Sequence, residues 1–175
     1  ATRFLIASTS EMMAYGMPYA TVGEFLLGNP DYGSLCEGFH DFYSTYEMMS
    51  CGTLAVTDCS ELDNMAAIMK SINDRYVFDD SLQGELQGLD GYTPVIFYDF
   101  ADYVLTLCSD PVLTARFREQ LERLVPYKTH TGKFYSRAKG SLPIHTFSGI
   151  TISDPSTNPM ALLKGTTSWY KATHE

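Results

Sequence analysis

Apolar positions change period several times along this chain, and each change marks an element. Phe4, Leu5, Ile6 and Ala7 form an unbroken apolar run, closed by the polar Ser8, Thr9, Ser10 and Glu11. A run of that length predicts a strand buried on both faces, with neighbours on both sides. It starts almost at the first residue, so the chain reads as the continuation of something longer. The loop Ser8 to Tyr15 leaves its carboxyl end, closed by Gly16 and by Pro18 in the first turn of a helix. Loops at that end of an open α/β sheet are where ligands sit.

Helical periodicity follows. Leu35, Cys36, Phe39, Phe42, Tyr43 and Tyr46 recur at helical spacing and predict one amphipathic helix from Pro30 to Met48, with His40 beside its aromatic stripe. Thr53 to Thr57 alternates and predicts a half-buried strand. Ser60 then suits an N-cap, with Asp63 in capping-box position, ahead of a helix presenting Leu62, Met65, Met69 and Ile72. Phe78 to Gly91 reads as a solvated acidic loop. Pro94 to Tyr98 leads into a short helix with Phe100, Tyr103, Val104 and Leu107 inward. Asp110-Pro111 caps and starts another, carrying Leu113, Phe117, Leu121 and Leu124, with Arg116, Glu119, Glu122 and Arg123 outside. Val125 to Ser136 and Ile144 to Ile152 read as strands, each with a histidine at its edge, His130 and His145. The tail from Met160 to Thr173 carries the one tryptophan, Trp169, as an anchor on the core.

Composition narrows the picture. A chain of 175 residues with 45% hydrophobic and 19% charged residues forms a real core, and positions 1–175 read as a single unit. A net charge of -9 disfavours nucleic acid and anionic membranes, and suits a basic peptide. No apolar run approaches the roughly 20 residues of a membrane span.

Candidate chemistry is sparse. The four cysteines, Cys36, Cys51, Cys59 and Cys108, lack zinc-type or redox-type spacing, and Cys36 and Cys108 fall on apolar helix faces as small hydrophobes. Asp79, Ser81, Gln83, Gly84 and Asp90 loosely echo a calcium loop but lack its closing glutamate, so the spacing supports no calcium site. Lys128, Lys133, Arg137 and Lys139 form a small basic patch, read as a solvated rim. There is no GxSxG elbow, no HExxH and no phosphate-cradling glycine loop. The residues by themselves describe an α/β domain with a sheet-edge loop.

An ordered set of segments adds to this. TRFLIASTSEMMAYGMPYA resembles the stretch that follows the catalytic cysteine in clostripain-family cysteine peptidases. TLAVTDCSELDNMAAIM, VIFYDFADYVLTL, VPYKTHTGKFYS, FSGITISDPS and TSWYKATHE resemble later segments of that family, in the same order. The resemblance implies part of a three-layer α/β/α caspase-like (gingipain- and legumain-like) fold with additional C-terminal helices and strands. It implies an endopeptidase cutting after Arg or Lys through a Cys-His dyad, secreted or in the bacterial envelope; no cofactor is expected from the residues, with calcium left open although the spacing does not support it.

It also implies that the dyad lies upstream. None of His40, His130, His145 and His174 matches the catalytic histidine, and none of the four cysteines matches the nucleophile, so this chain should be inactive without its upstream catalytic half. What it would contribute is a wall of the specificity pocket from Thr9, Ser10 and Glu11, with Tyr15 behind them. Glu11 could offer negative potential to a basic side chain, and equally suits the start of a helix. Two other readings stand beside this one. One is a non-catalytic peptide-binding or scaffold subunit with a degenerate peptidase fold. The other is a metal-dependent enzyme using His130, His145 and the acidic loop.

Overall fold

The computed structural model describes residues 2–47 and 49–175. Its centre is β2 (Thr53–Asp58), which pairs antiparallel with β1 (Phe4–Ala7) on one side and β4 (Tyr127–His130) on the other. All six residues of β2 are buried. Leu54 and Val56 point into one apolar cluster with Leu35, Phe39 and Tyr43 of α2 (Tyr32–Thr45). Ala55 points into the other, with Met65, Met69 and Ile72 of α3 (Leu62–Asn73) and Phe117, Leu121 and Leu124 of α5 (Pro111–Leu124). Alternation of side chains across the pleat thus joins two helical layers through one strand.

Burial is distributed differently from the sequence expectation. β1, expected to be buried on both faces, is an edge strand among the described residues, and Leu5 is 52% exposed. β2, expected to be half-buried, is covered on both faces. An apolar run reports the capacity for burial, whereas burial itself depends on which elements cover the strand. Thr53, Thr57 and Asp58 tolerate the interior because Thr53 is hydrogen-bonded to the loop after β1, and Asp58 accepts from Ser60 (2.5 Å) and faces Arg3 (3.5 Å).

The helix boundaries shift for local reasons. α2 starts at Tyr32 because Asp31 accepts the Ser34 N–H at 3.0 Å, and it ends at Thr45; Met48, placed in this helix by its spacing, lies outside the described residues. Pro18 occupies the N-cap of α1 (Tyr19–Val22) instead of its first turn. Asp58, in place of Ser60, caps a short 3-10 turn at Cys59–Glu61 that opens α3. Phe78 to Gly91 is not simply a loop, since it contains a 3-10 turn at Asp80–Glu85 and buries Leu86 and Leu89.

The rest follows more closely. β3 (Tyr98–Asp99) leads directly into α4 (Phe100–Leu107), which buries Phe100, Tyr103, Val104 and Leu107 as expected. α5 starts at Pro111 with Asp110 accepting from Val112 and Leu113. The predicted strand Val125 to Ser136 is two strands, β4 and β5 (Lys133–Ser136), because Gly132 turns the chain at φ 80°. β5 pairs with β6 (Gly140–Pro143), a strand the pattern did not predict, and only β7 (Thr151–Ile152), paired with β3, forms within Ile144 to Ile152. In the tail, a 3-10 turn at Pro159–Thr166 precedes α6 (Ser168–His174), whose Trp169 is half-buried edge-on to Phe100.

Candidate functional site

The start of the loop leaving β1 converges on one hydroxyl. Thr53 Oγ1 lies 2.7 Å from Ser8 Oγ and 3.0 Å from Ser10 Oγ, receives the Thr9 N–H at 3.2 Å and meets the Thr9 hydroxyl at 3.3 Å. A threonine hydroxyl offers one donor and two acceptors, so these four contacts share three hydrogen-bonding positions. Ser8 Oγ also donates to the Ser10 carbonyl at 2.9 Å, closing a tight polar turn. Thr9 and Ser10 are therefore brought together on β2, where they fix the loop's path.

Glu11 goes elsewhere. Its backbone makes an isolated antiparallel bridge with Tyr135 of β5, and one carboxylate oxygen accepts the Arg137 N–H. The other oxygen accepts no hydrogen bond among the described residues, and the side chain is exposed. The helix-start reading of Glu11 does not hold: α1 begins only at Tyr19, capped by Pro18. Glu11 instead lines a cavity of about 470 Å³, together with Asp90, Gly91, Tyr92, Ser136, Arg137 and Ala138.

Asp90 is the second carboxylate on this wall. Its oxygens accept the backbone N–H groups of Tyr92 (2.8 Å), Ile96 (2.8 Å) and Phe97 (2.6 Å), so it organises its own loop. Asp90 thus accepts three hydrogen bonds among the described residues and Glu11 one, which leaves Glu11 the greater acceptor capacity. Arg137 lines the cavity as well, and Lys139 donates to the Tyr92 carbonyl at 3.3 Å.

Tyr15 points away from that cavity. Its ring packs on Phe42 (4.8 Å between centroids) and Tyr46 (5.9 Å) of α2, and it remains 52% exposed. Behind it, the buried Tyr43 donates its hydroxyl to the Gly16 carbonyl at 2.6 Å, where Gly16 holds φ 74° to end the loop. The four residues singled out from sequence thus serve three places: Thr9 and Ser10 on β2, Glu11 at the cavity, Tyr15 on α2. Thr53, Tyr43 and the β5–β6 hairpin were missed. No local signal marks them, since each acts through a partner tens of residues away.

The cysteines offer no assembled nucleophile. Cys36, Cys51 and Cys108 are buried and all four are free. Burial pushes the Cys36 thiol up to about 11, which disfavours the thiolate. Cys51 Sγ meets Ser141 Oγ at 3.2 Å, while Cys59 and Cys108 reach only backbone carbonyls. Among the described residues no cysteine is hydrogen-bonded to a histidine, and no group of three or more His, Cys, Asp or Glu is placed to hold a metal ion. His130 accepts the Gly132 N–H through Nδ1, and burial lowers its pKa. His145 carries its own backbone N–H to the Gln87 side chain.

Comparison with solved structures places this geometry. A clostripain from Bacteroides thetaiotaomicron, in complex with the peptide inhibitor BTN-VLTK-AOMK, superposes with a TM-score of 0.96 at 62% identity, over 98% of this chain and 77% of that one. The chain belongs to the clostripain (C11) family of cysteine proteases. A secreted C11 protease of the same species, iotapain, matches equally at 62% identity and a TM-score of 0.96, but this chain spans only 49% of its length. An inactive zymogen C11 protease from Parabacteroides distasonis matches at 29% identity and a TM-score of 0.81, over 99% of this chain and 52% of that one. No protein-family model and no curated protein matched the chain. The caspase-like α/β class expected from the clostripain resemblance is therefore the observed one.

Proposed function

We propose that this chain forms the specificity-bearing part of a cysteine endopeptidase that cleaves after Lys or Arg. The observation that carries the reading is the Glu11 carboxylate: one oxygen is anchored on the Arg137 amide, the other accepts no hydrogen bond among the described residues, and the residue lines a cavity large enough for a long side chain. A carboxylate held in that way favours an ammonium or guanidinium through a charge-assisted hydrogen bond. The inhibitor bound by the 62%-identical clostripain carries the peptide VLTK, ending in lysine, which agrees with a basic residue at the cleavage site.

The catalytic cysteine and histidine are proposed to come from an upstream half. None of the four thiols here is paired for nucleophilic work, and a Cys-His dyad needs that pairing. The open edge of β1, with its apolar Leu5 exposed, offers backbone donors and acceptors to which a further strand would pair. The dyad supplies nucleophile and base, so the mechanism calls for no cofactor. Secretion is proposed by analogy with the secreted B. thetaiotaomicron protease.

The test is hydrolysis of matched peptides ending in Lys, Arg, Gln or Leu before the reporter group. The full-length protein should cleave the first two, and residues 1–175 alone should cleave none. Cleavage of Leu or Gln peptides at rates equal to Lys and Arg would overturn the specificity reading. Tight peptide binding without any turnover by the full-length protein would favour a binding subunit.

A further inference from the structure

A second cavity, of about 330 Å³, lies between β7, the turn after it, and the C-terminal helices. It shares no lining residue with the Glu11 cavity. They adjoin at one point, where Asp90 of the Glu11 cavity accepts the backbone N–H of Phe97. Its floor is aromatic, made by Phe97, Phe100, Trp169 and Tyr170. Small-molecule sites are typically concave, mostly apolar and provided with a few convergent polar groups.

Two charged side chains line this one. Asp154 has a side chain only 9% exposed, and its Oδ2 has no hydrogen-bond partner. His174 Nε2 of α6 lies 3.9 Å from that oxygen, beyond hydrogen-bond range. A buried acceptor without a donor is unfavourable. Oδ2 itself is closed to solvent, so a ligand ammonium in the cavity reaches this carboxylate through its other oxygen. Lys164 lines the same space, and its ammonium donates to the carbonyls of Ser153 (3.3 Å) and Asp154. That leaves one of its three hydrogens without an acceptor among the described residues.

The charge pattern restricts the ligand class. A simple cation meets Asp154 but also the nearby Lys164 ammonium. A simple anion meets the reverse. We propose that this cavity binds a small zwitterion on an apolar body, the chemistry of a free amino acid with a bulky apolar side chain. Its ammonium donates to Asp154, its carboxylate accepts from Lys164, and its side chain lies on Phe97, Phe100 and Trp169. The proposal is independent of the peptidase reading, because it invokes no residue of the Glu11 site.

Trp169 is the one tryptophan of these 175 residues, so the site carries its own reporter. The experiment is a fluorescence titration of the full-length protein with L-phenylalanine, read as the difference from a Trp169→Phe variant. A saturable change is expected. Phenethylamine and 3-phenylpropionate, each lacking one charge, should bind about tenfold or more weakly. Lys164→Met and Asp154→Asn should each weaken L-phenylalanine binding to a similar degree. If Asp154→Asn does not fold, Lys164→Met and the two analogues still decide the matter. Absence of a saturable change with L-phenylalanine, or equal binding of phenethylamine, overturns the proposal.

Discussion

The Glu11 carboxylate accepts the backbone N–H of Arg137, 126 residues further along the chain. This contact, together with the Glu11–Tyr135 bridge, ties the loop after β1 to the β5–β6 hairpin. The carboxylate is thereby held by a backbone donor, so its position does not depend on the Arg137 side chain. The other oxygen accepts no hydrogen bond among the described residues.

Glu11→Gln in the full-length protein separates charge from scaffold. The amide oxygen can still accept the Arg137 N–H, so folding should be unchanged. Loss of a charge-assisted hydrogen bond of about 1.5–3 kcal/mol should lower kcat/KM for Lys and Arg peptides by about ten- to a hundredfold. Neutral peptides should be unaffected. An unchanged ratio of basic to neutral hydrolysis would make the carboxylate purely structural.

Thr53→Val removes the hub of the loop while preserving shape. Thr53 is 1% exposed, and Ser8, Thr9 and Ser10 all converge on its hydroxyl. Unfolding in urea should show a loss of about 1–3 kcal/mol, the cost of unpaired buried polar groups. The loop should also become more open to hydrogen exchange at Thr9 and Ser10. Unchanged exchange at these amides would show that the Glu11–Tyr135 bridge alone fixes the loop.

Tyr43→Phe tests the far end of the same loop. Deleting the hydroxyl leaves the Gly16 carbonyl without the Tyr43 donor and should cost about 1 kcal/mol. The ring still fills its place between Phe39 and Phe42, so no cavity is created. A change in melting temperature as large as that of a core truncation would contradict this account.

These outcomes bear on what could be read from sequence. The inward faces of α4 and α5 were legible because helical spacing depends only on near neighbours, and Asp110-Pro111 marks its own helix start. Strand burial was not legible. Phe4 to Ala7 has the more apolar sequence yet lies at the edge, while Thr53 to Asp58 carries three polar residues yet lies at the centre. What decides is long-range: Thr53 finds Ser8, and Asp58 finds Arg3, only after the sheet forms. The same holds for the site. Glu11 could be picked as a carboxylate in a loop at a strand end, but its anchor on the β5–β6 hairpin and its cavity wall from Asp90 to Tyr92 have no local signature. The ordered segments of the clostripain resemblance carried the family, where periodicity alone carried only the class.

Asp99 supplies a pH prediction with a definite sign. It is fully buried at the start of α4, and it accepts from Asp102 N–H (3.1 Å) and from the Ser148 N–H (2.5 Å) and hydroxyl (2.8 Å). Burial raises its pKa above the ordinary 3.8, outweighing the Ser148 and Asp102 hydrogen bonds that lower it. The folded state therefore holds this proton more tightly than the unfolded state. The stabilisation linked to that proton is fully present below the ordinary carboxylate value and is lost as pH rises through the folded value. Asp99→Asn cannot titrate, so the stability of the parent protein relative to this variant should decline as pH rises from the ordinary carboxylate value of 3.8 toward neutrality. Paired urea unfolding curves across that range measure it. A relative stability that rises with pH would mean that the hydrogen bonds from Ser148 and Asp102 dominate over burial, and that Asp99 is held as an anion throughout.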